Sequence, residues 1–206
     1  MKRNLVFMLM MTLLPALATA QNLTLRPHAG LTSSWFASDE IVASADEILE
    51  PKHLYGWVVG AELEYRSNRI FGASVALDYS TEGTRYEDGN TLKDYRFRQH
   101  RLSLPVLAVC HIGTTGLALE AGLRPSYLLS ATNGYTDPTG EHSDDATSLF
   151  RRVTFDIPVG LSYSYGALKA TLRYNIGLGH QYDFEGDGDS ATARSIWLTL
   201  GYGFSI

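Results

Sequence analysis

Ten charged residues stand where they could neutralise one another inside a fold: Arg26, Arg101, Arg124, Lys169 and Arg173 against Glu62, Glu64, Asp78, Glu120 and Asp156. Each shares its parity with the polar residues of an alternating segment, so each projects from the polar face of a strand. The chemistry on offer is electrostatic. Buried charges persist only when paired, and five cations can pair completely with five anions. The competing reading is a solvated face whose charges balance by chance.

Other reactive residue types form no constellation. The six histidines, His28, His53, His100, His111, His142 and His180, lack metal-ligand spacing. The acidic run from Asp183 to Asp189 looks like a calcium loop, but Arg194 occupies the twelfth position where a closing Glu belongs. A solvated charge run explains it better. Cys110 is the only cysteine and can make no internal disulfide. No cofactor or metal is expected.

The elements that must position these charges are strands. Helical periodicity is weak, and no segment after the N-terminus approaches a helical span. Period-two alternation is strong. Leu168, Ala170, Leu172, Tyr174, Ile176 and Leu178 share one face of their segment, and Lys169, Thr171, Arg173, Asn175 and Gly177 the other. Eight such segments lie near 23–35, 54–66, 70–80, 95–112, 117–131, 149–164, 167–181 and 194–206. Short connections (Ser67-Asn68-Arg69, Gly113–Gly116, Tyr165-Gly166) alternate with long ones near 36–53, 81–94, 132–148 and 182–193. This pattern predicts an all-β fold, an eight-stranded antiparallel up-and-down transmembrane β-barrel with its long loops outside the cell. Each segment reaches the roughly 9–11 residues that a tilted strand needs to cross.

Residues 1–20 read as a signal peptide: Lys2 and Arg3, an apolar run from Leu5 to Leu14, then a cleavage site near Ala20. The barrel domain is 21–206. A soluble barrel would alternate in the same way with its apolar face inward. The glycines argue otherwise. Gly30, Gly56, Gly60, Gly72, Gly122, Gly160, Gly177, Gly179, Gly201 and Gly203 all fall on the polar face. A water-facing surface has no use for so many, whereas a narrow lumen filled by long charged residues needs small neighbours. The polar face therefore points inward, and the charges become a lumen network that plugs the bore. His28 can join it; His100 and His180 lie near the outer interface.

The four long loops hold 17 of the 22 acidic residues against three basic ones, Lys52, Arg85 and Lys93. At the loop-side ends of strands, on the outward parity, Arg96, Arg98, Arg151 and Arg194 are placed either to meet lipid phosphates or to pair with the acidic loops. Pro27, Pro105, Pro125 and Pro158 each remove a ladder donor, which predicts bulges or bends. The terminal strand must pair with the first to close the ring. Its Thr199, Gly201, Phe204 and Ile206 resemble the C-terminal signal read by the outer-membrane insertion machinery, with Ile206 where an aromatic is usual.

The pieces RLSLPVLAVCHIG, LALEAGLRPSYLLSA, VTFDIPVGLSYSY, LKATLRYNIGLGHQYD and IWLTLGYGF, in that order over about 95–206, resemble the PorT-like outer-membrane β-barrel family of Bacteroidota. The resemblance implies an eight-stranded barrel in the outer membrane and carries over no catalytic residue. The expected function is that of a non-enzymatic barrel serving a surface, structural or partner-docking role. The alternatives are an outer-leaflet lipid-modifying enzyme using His100 or His180, and a small porin. Expected partners are outer-membrane lipids and, during assembly, the insertion machinery. No protein partner is named, a monomer is expected, and acidic loops do not suit nucleic acid.

Overall fold

The computed structural model describes residues 23–37, 41–44, 47–49, 51–86, 93–137, 140–179 and 192–206. The Ala20 cleavage site, His180 and the Asp183–Asp189 run lie outside the described residues. The strands of the barrel are β1 (Leu23–Ala37), β2 (Leu54–Arg66), β3 (Phe71–Tyr86), β4 (Lys93–Ser103, resuming over Val106–His111), β5 (Leu117–Asp137), β6 (Val153–Tyr165), β7 (Leu168–Leu178) and β8 (Thr192–Tyr202, ending in Phe204–Ser205). Each pairs antiparallel with its chain neighbours, and β8 pairs with β1 to close a ring of eight. Ile206 N–H donates to Leu23 C=O at 3.0 Å, so the closing seam extends to the last residue. Among the described residues no helix is long and apolar enough to cross a membrane.

Orientation follows the glycine argument. Leu172 and Leu200 are 52% and 58% exposed, while Arg173 and Glu120 are 6% and 2% exposed. The apolar stripe of every strand faces outward and the polar stripe fills the bore. The glycines make room. A Cβ on Gly60 would lie 2.1 Å from Asp78 Oδ1, and one on Gly201 would lie 2.8 Å from Arg26 Cγ. Gly179 differs: it has φ +84° with open space around it, so it serves a strand exit and not the lumen.

Two loop boundaries move. β3 and β5 continue past the apolar band to Tyr86 and Asp137, and a short strand, Gly140–Asp145, folds back on β5. The second and third loops are therefore shorter than the sequence suggests. In these extensions the outward positions are polar, so hydropathy marks the end of the apolar band and not the end of pairing.

The prolines interrupt ladders without shifting register. Pro27 lies where pairing between β1 and β8 lapses, between Leu25–Phe204 and His28–Gly201. Pro158 lies in the lapse between Asp156–Arg124 and Val159–Ala121. Pro105 sits in the break of β4, and Pro125 faces that same break from β5. Neighbouring donors still find partners there: Leu104 N–H reaches Pro125 C=O at 2.9 Å and Ala76 N–H reaches Pro105 C=O at 3.0 Å. The register shifts within β4–β5 fall elsewhere, between Lys93 and Arg96 and between His100 and Arg101. The expected bulges thus do not coincide with prolines, because a missing donor removes a hydrogen bond without adding a residue.

Candidate functional site

The lumen charges form two layers. On the short-turn side, Arg26 Nη1 donates to Glu62 and to Glu64, each at 2.9 Å. Lys169 Nζ donates to Glu62 at 2.8 Å and Glu64 at 3.1 Å, and lies 2.7 Å from Glu120 Oε1. Arg173 Nη2 donates to Glu120 at 2.9 Å. Three cations and three carboxylates, drawn from β1, β2, β5 and β7, thus meet across the bore. Below them His111 Nε2 lies 3.5 Å from Glu64, and Arg66 lies 2.7 Å from His111 Nδ1.

Nearer the loops, Arg124 Nε donates to Asp156 at 2.9 Å and its Nη1 donates to Glu82 at 2.7 Å. The guanidinium also lies 4.6 Å from the ring centre of Trp197, which is fully buried. Such a contact favours the cation when water is excluded. Arg101 donates to Gln99 at 3.0 Å and to Thr154 at 2.5 Å. Between the layers, His28 Nε2 lies 3.0 Å from Asp78 Oδ1. All ten residues of the predicted set are buried in the bore.

Glu82 is a correction. The sequence reading assigns it to a loop; in the structure it lies on β3, is buried, and pairs with Arg124 while accepting from Ser80 at 2.9 Å. The buried set is therefore six carboxylates against five cations, with His28 beside Asp78. The signal was present: Asp78, Ser80 and Glu82 share one parity, but the apolar outward residues stop before Glu82 does. Gln99, Thr154 and Trp197 were missed for a simpler reason, since neutral residues were not counted as members of a charge network.

Above the second layer the bore is closed by an apolar plug. Phe36, Tyr86, Phe97, Leu128, Ala131, Ala146 and Phe150 are buried together, with Tyr95 packed against them. Phe97 and Phe150 meet edge-on with ring centres 5.5 Å apart. Phe36, Tyr86, Phe97 and Leu128 sit on the inward parity near the loop-side ends of their strands, whereas Ala146 and Phe150 come from the segment between the short strand Gly140–Asp145 and β6, so alternation alone does not reveal the cluster.

The outward arginines separate by position. Arg96 and Arg98 lie on β4, Arg151 precedes β6, and Arg194 lies on β8 opposite Trp35. His100 Nδ1 and Tyr79 Oη are 2.9 Å apart, with the two rings stacked. Of the terminal set, Thr199 and Gly201 line the bore, whereas Phe204 and Ile206 are exposed on the outer face. Among the described residues no group of three or more His, Cys, Asp or Glu is disposed to hold a metal.

The backbone resembles solved outer-membrane barrels. Ail, the attachment invasion locus protein of Yersinia pestis, superposes with a TM-score of 0.50 at 14% identity, covering 88% of this chain and 98% of that one. A second structure of Ail, in complex with the heparin analogue sucrose octasulfate, gives 0.50 at 14%, covering 89% and 99%. Neisserial surface protein A gives 0.52 at 9%, covering 87% and 97%. At these identities the likeness concerns the fold alone. No curated protein matches the sequence. The family model for the outer membrane protein beta-barrel domain matches residues 19–183. The chain is thus a β-barrel of the outer membrane and belongs to the outer membrane protein beta-barrel domain family.

Proposed function

We propose that this barrel is a non-conducting, non-enzymatic element of the outer membrane that serves a structural, surface-presenting or partner-docking role. The observation that supports it is the filled bore: two layers of paired charges beneath an aromatic plug. A porin needs a continuous aqueous path, and side chains occupy the cross-section at three levels. An enzyme needs an accessible base with an acid or nucleophile beside it. The described candidate, His100, is instead engaged at Nδ1 by the Tyr79 phenol. The acidic loops are the surface on offer, and a single chain closes the ring by itself, in keeping with a monomer.

Within the broad family we place the chain in the PorT-like group, on the strand motifs from 95 to 206. We assign residues 1–20 to a cleaved signal peptide and Thr199, Gly201, Phe204 and Ile206 to the assembly signal. Planar-bilayer recording of the folded protein tests the central claim. The expected trace is silent; reproducible step conductance from the wild-type barrel would sink the reading.

A further inference from the structure

We propose that a basic groove on the outer wall of β4 and β5 seats the phosphate of an outer-leaflet lipid headgroup. The groove has a volume of about 340 Å³ and is lined by Arg96, Arg98, His100, Thr132, His142 and Ser143 among others. Antiparallel pairing places Arg85 of β3 directly opposite Arg96, so a further cation borders the same wall.

The site is built. Gly134 lets the Arg96 side chain lie across β5: a Cβ there would stand 3.3 Å from Arg96 Nε. When the Tyr79 phenol donates to His100 Nδ1, Nε2–H is left as a second donor. Guanidinium forks suit phosphate oxygens, and the hydroxyls of Thr132 and Ser143 add neutral donors.

Position selects a lipid over a soluble anion. Toward the membrane on the same two strands, Leu102, Tyr127 and Leu129 are exposed, and the Leu102–Tyr127 pair lies four residues along β4 and five along β5 from the Arg98–Thr132 pair. A ligand with a phosphate at the arginines would lay acyl chains along those residues. Arg151 and Arg194, also expected at phosphates, do not line this groove. The inference needs only the membrane placement of the barrel and is independent of whether the bore conducts.

The test is native mass spectrometry of the detergent-folded barrel with two probes, a bis-phosphorylated diglucosamine lipid and its dephosphorylated form. The expected result is a preference of at least about tenfold for the phosphorylated lipid, one strong charge-assisted contact being worth that much. Arg96→Gln with Arg98→Gln should abolish the preference, with heat-modifiable gel mobility retained as proof of folding; Arg194→Gln should leave it intact. Equal binding of the two lipids by the wild type overturns the proposal without recourse to any variant. Survival of the preference in the double variant also overturns it. Competition by lipid-free glucosamine phosphate at equal concentration would show a soluble ligand instead, and would overturn the lipid assignment.

Discussion

Lys169 is the most connected cation of the lower lumen layer, within 3.1 Å of Glu62, Glu64 and Glu120. Lys169→Met keeps most of the side-chain volume and removes the charge. Three carboxylates then face two cations, Arg26 and Arg173. Removing one partner of a buried ion pair costs about 3–5 kcal/mol, because the other charge stays buried without compensation. Here the two arginines remain in reach of all three carboxylates, so the lower end, about 3 kcal/mol, is expected. Adding Glu120→Gln restores balance at two against two. The double variant should therefore recover about 0.5–3 kcal/mol relative to the sum of the single costs, the range measured for coupled neighbours. The assay is urea titration of the folded barrel in detergent, followed by tryptophan fluorescence and heat-modifiable mobility. A Lys169→Met cost below about 0.5 kcal/mol, the size of an ordinary surface change, would refute the ion-pair account. So would strict additivity in the cycle.

Trp197→Ala should cost about 3–5 kcal/mol in the same titration, since it empties a fully buried indole site beside Arg124; Trp197→Phe should cost clearly less. Gly60→Ala should destabilise by about 1–3 kcal/mol or prevent folding, its Cβ meeting Asp78 Oδ1 at 2.1 Å and Leu77 C=O at 2.5 Å. Gly113→Ala, with φ +58° and open space, should cost only about 1 kcal/mol of backbone strain, so the order of the two glycine variants checks the lumen-space argument. His100→Ala should leave the lipid A profile of expressing cells unchanged by mass spectrometry; a lost or altered species would revive the enzyme reading.

What the sequence determined by itself was the set of faces. A strand has period two, so once Leu172 is assigned outward, Arg173 must point inward, and this local geometry holds along the strands except at Leu129 of β5, where an extra residue moves the inward parity from Leu128 to Ala131. The strict alternation of short and long connections ordered the strands around the ring, and the glycine parity settled which face filled the bore. Even Glu82 was legible in principle, through its phase with Asp78 and Ser80.

Tertiary structure decided which charges meet. Lys169 and Glu62 are 107 positions apart and touch across the lumen at 2.8 Å. That pairing depends on the stagger of the closed ring and on the rise of each tilted strand, neither of which is encoded in any one segment. The aromatic plug was hidden for the same reason. Phe36, Tyr86, Phe97 and Phe150 come from four separate stretches. Parity turns Phe36, Tyr86 and Phe97 inward, but they meet one another and Phe150 only because the closed ring brings the four stretches together at its loop-side end.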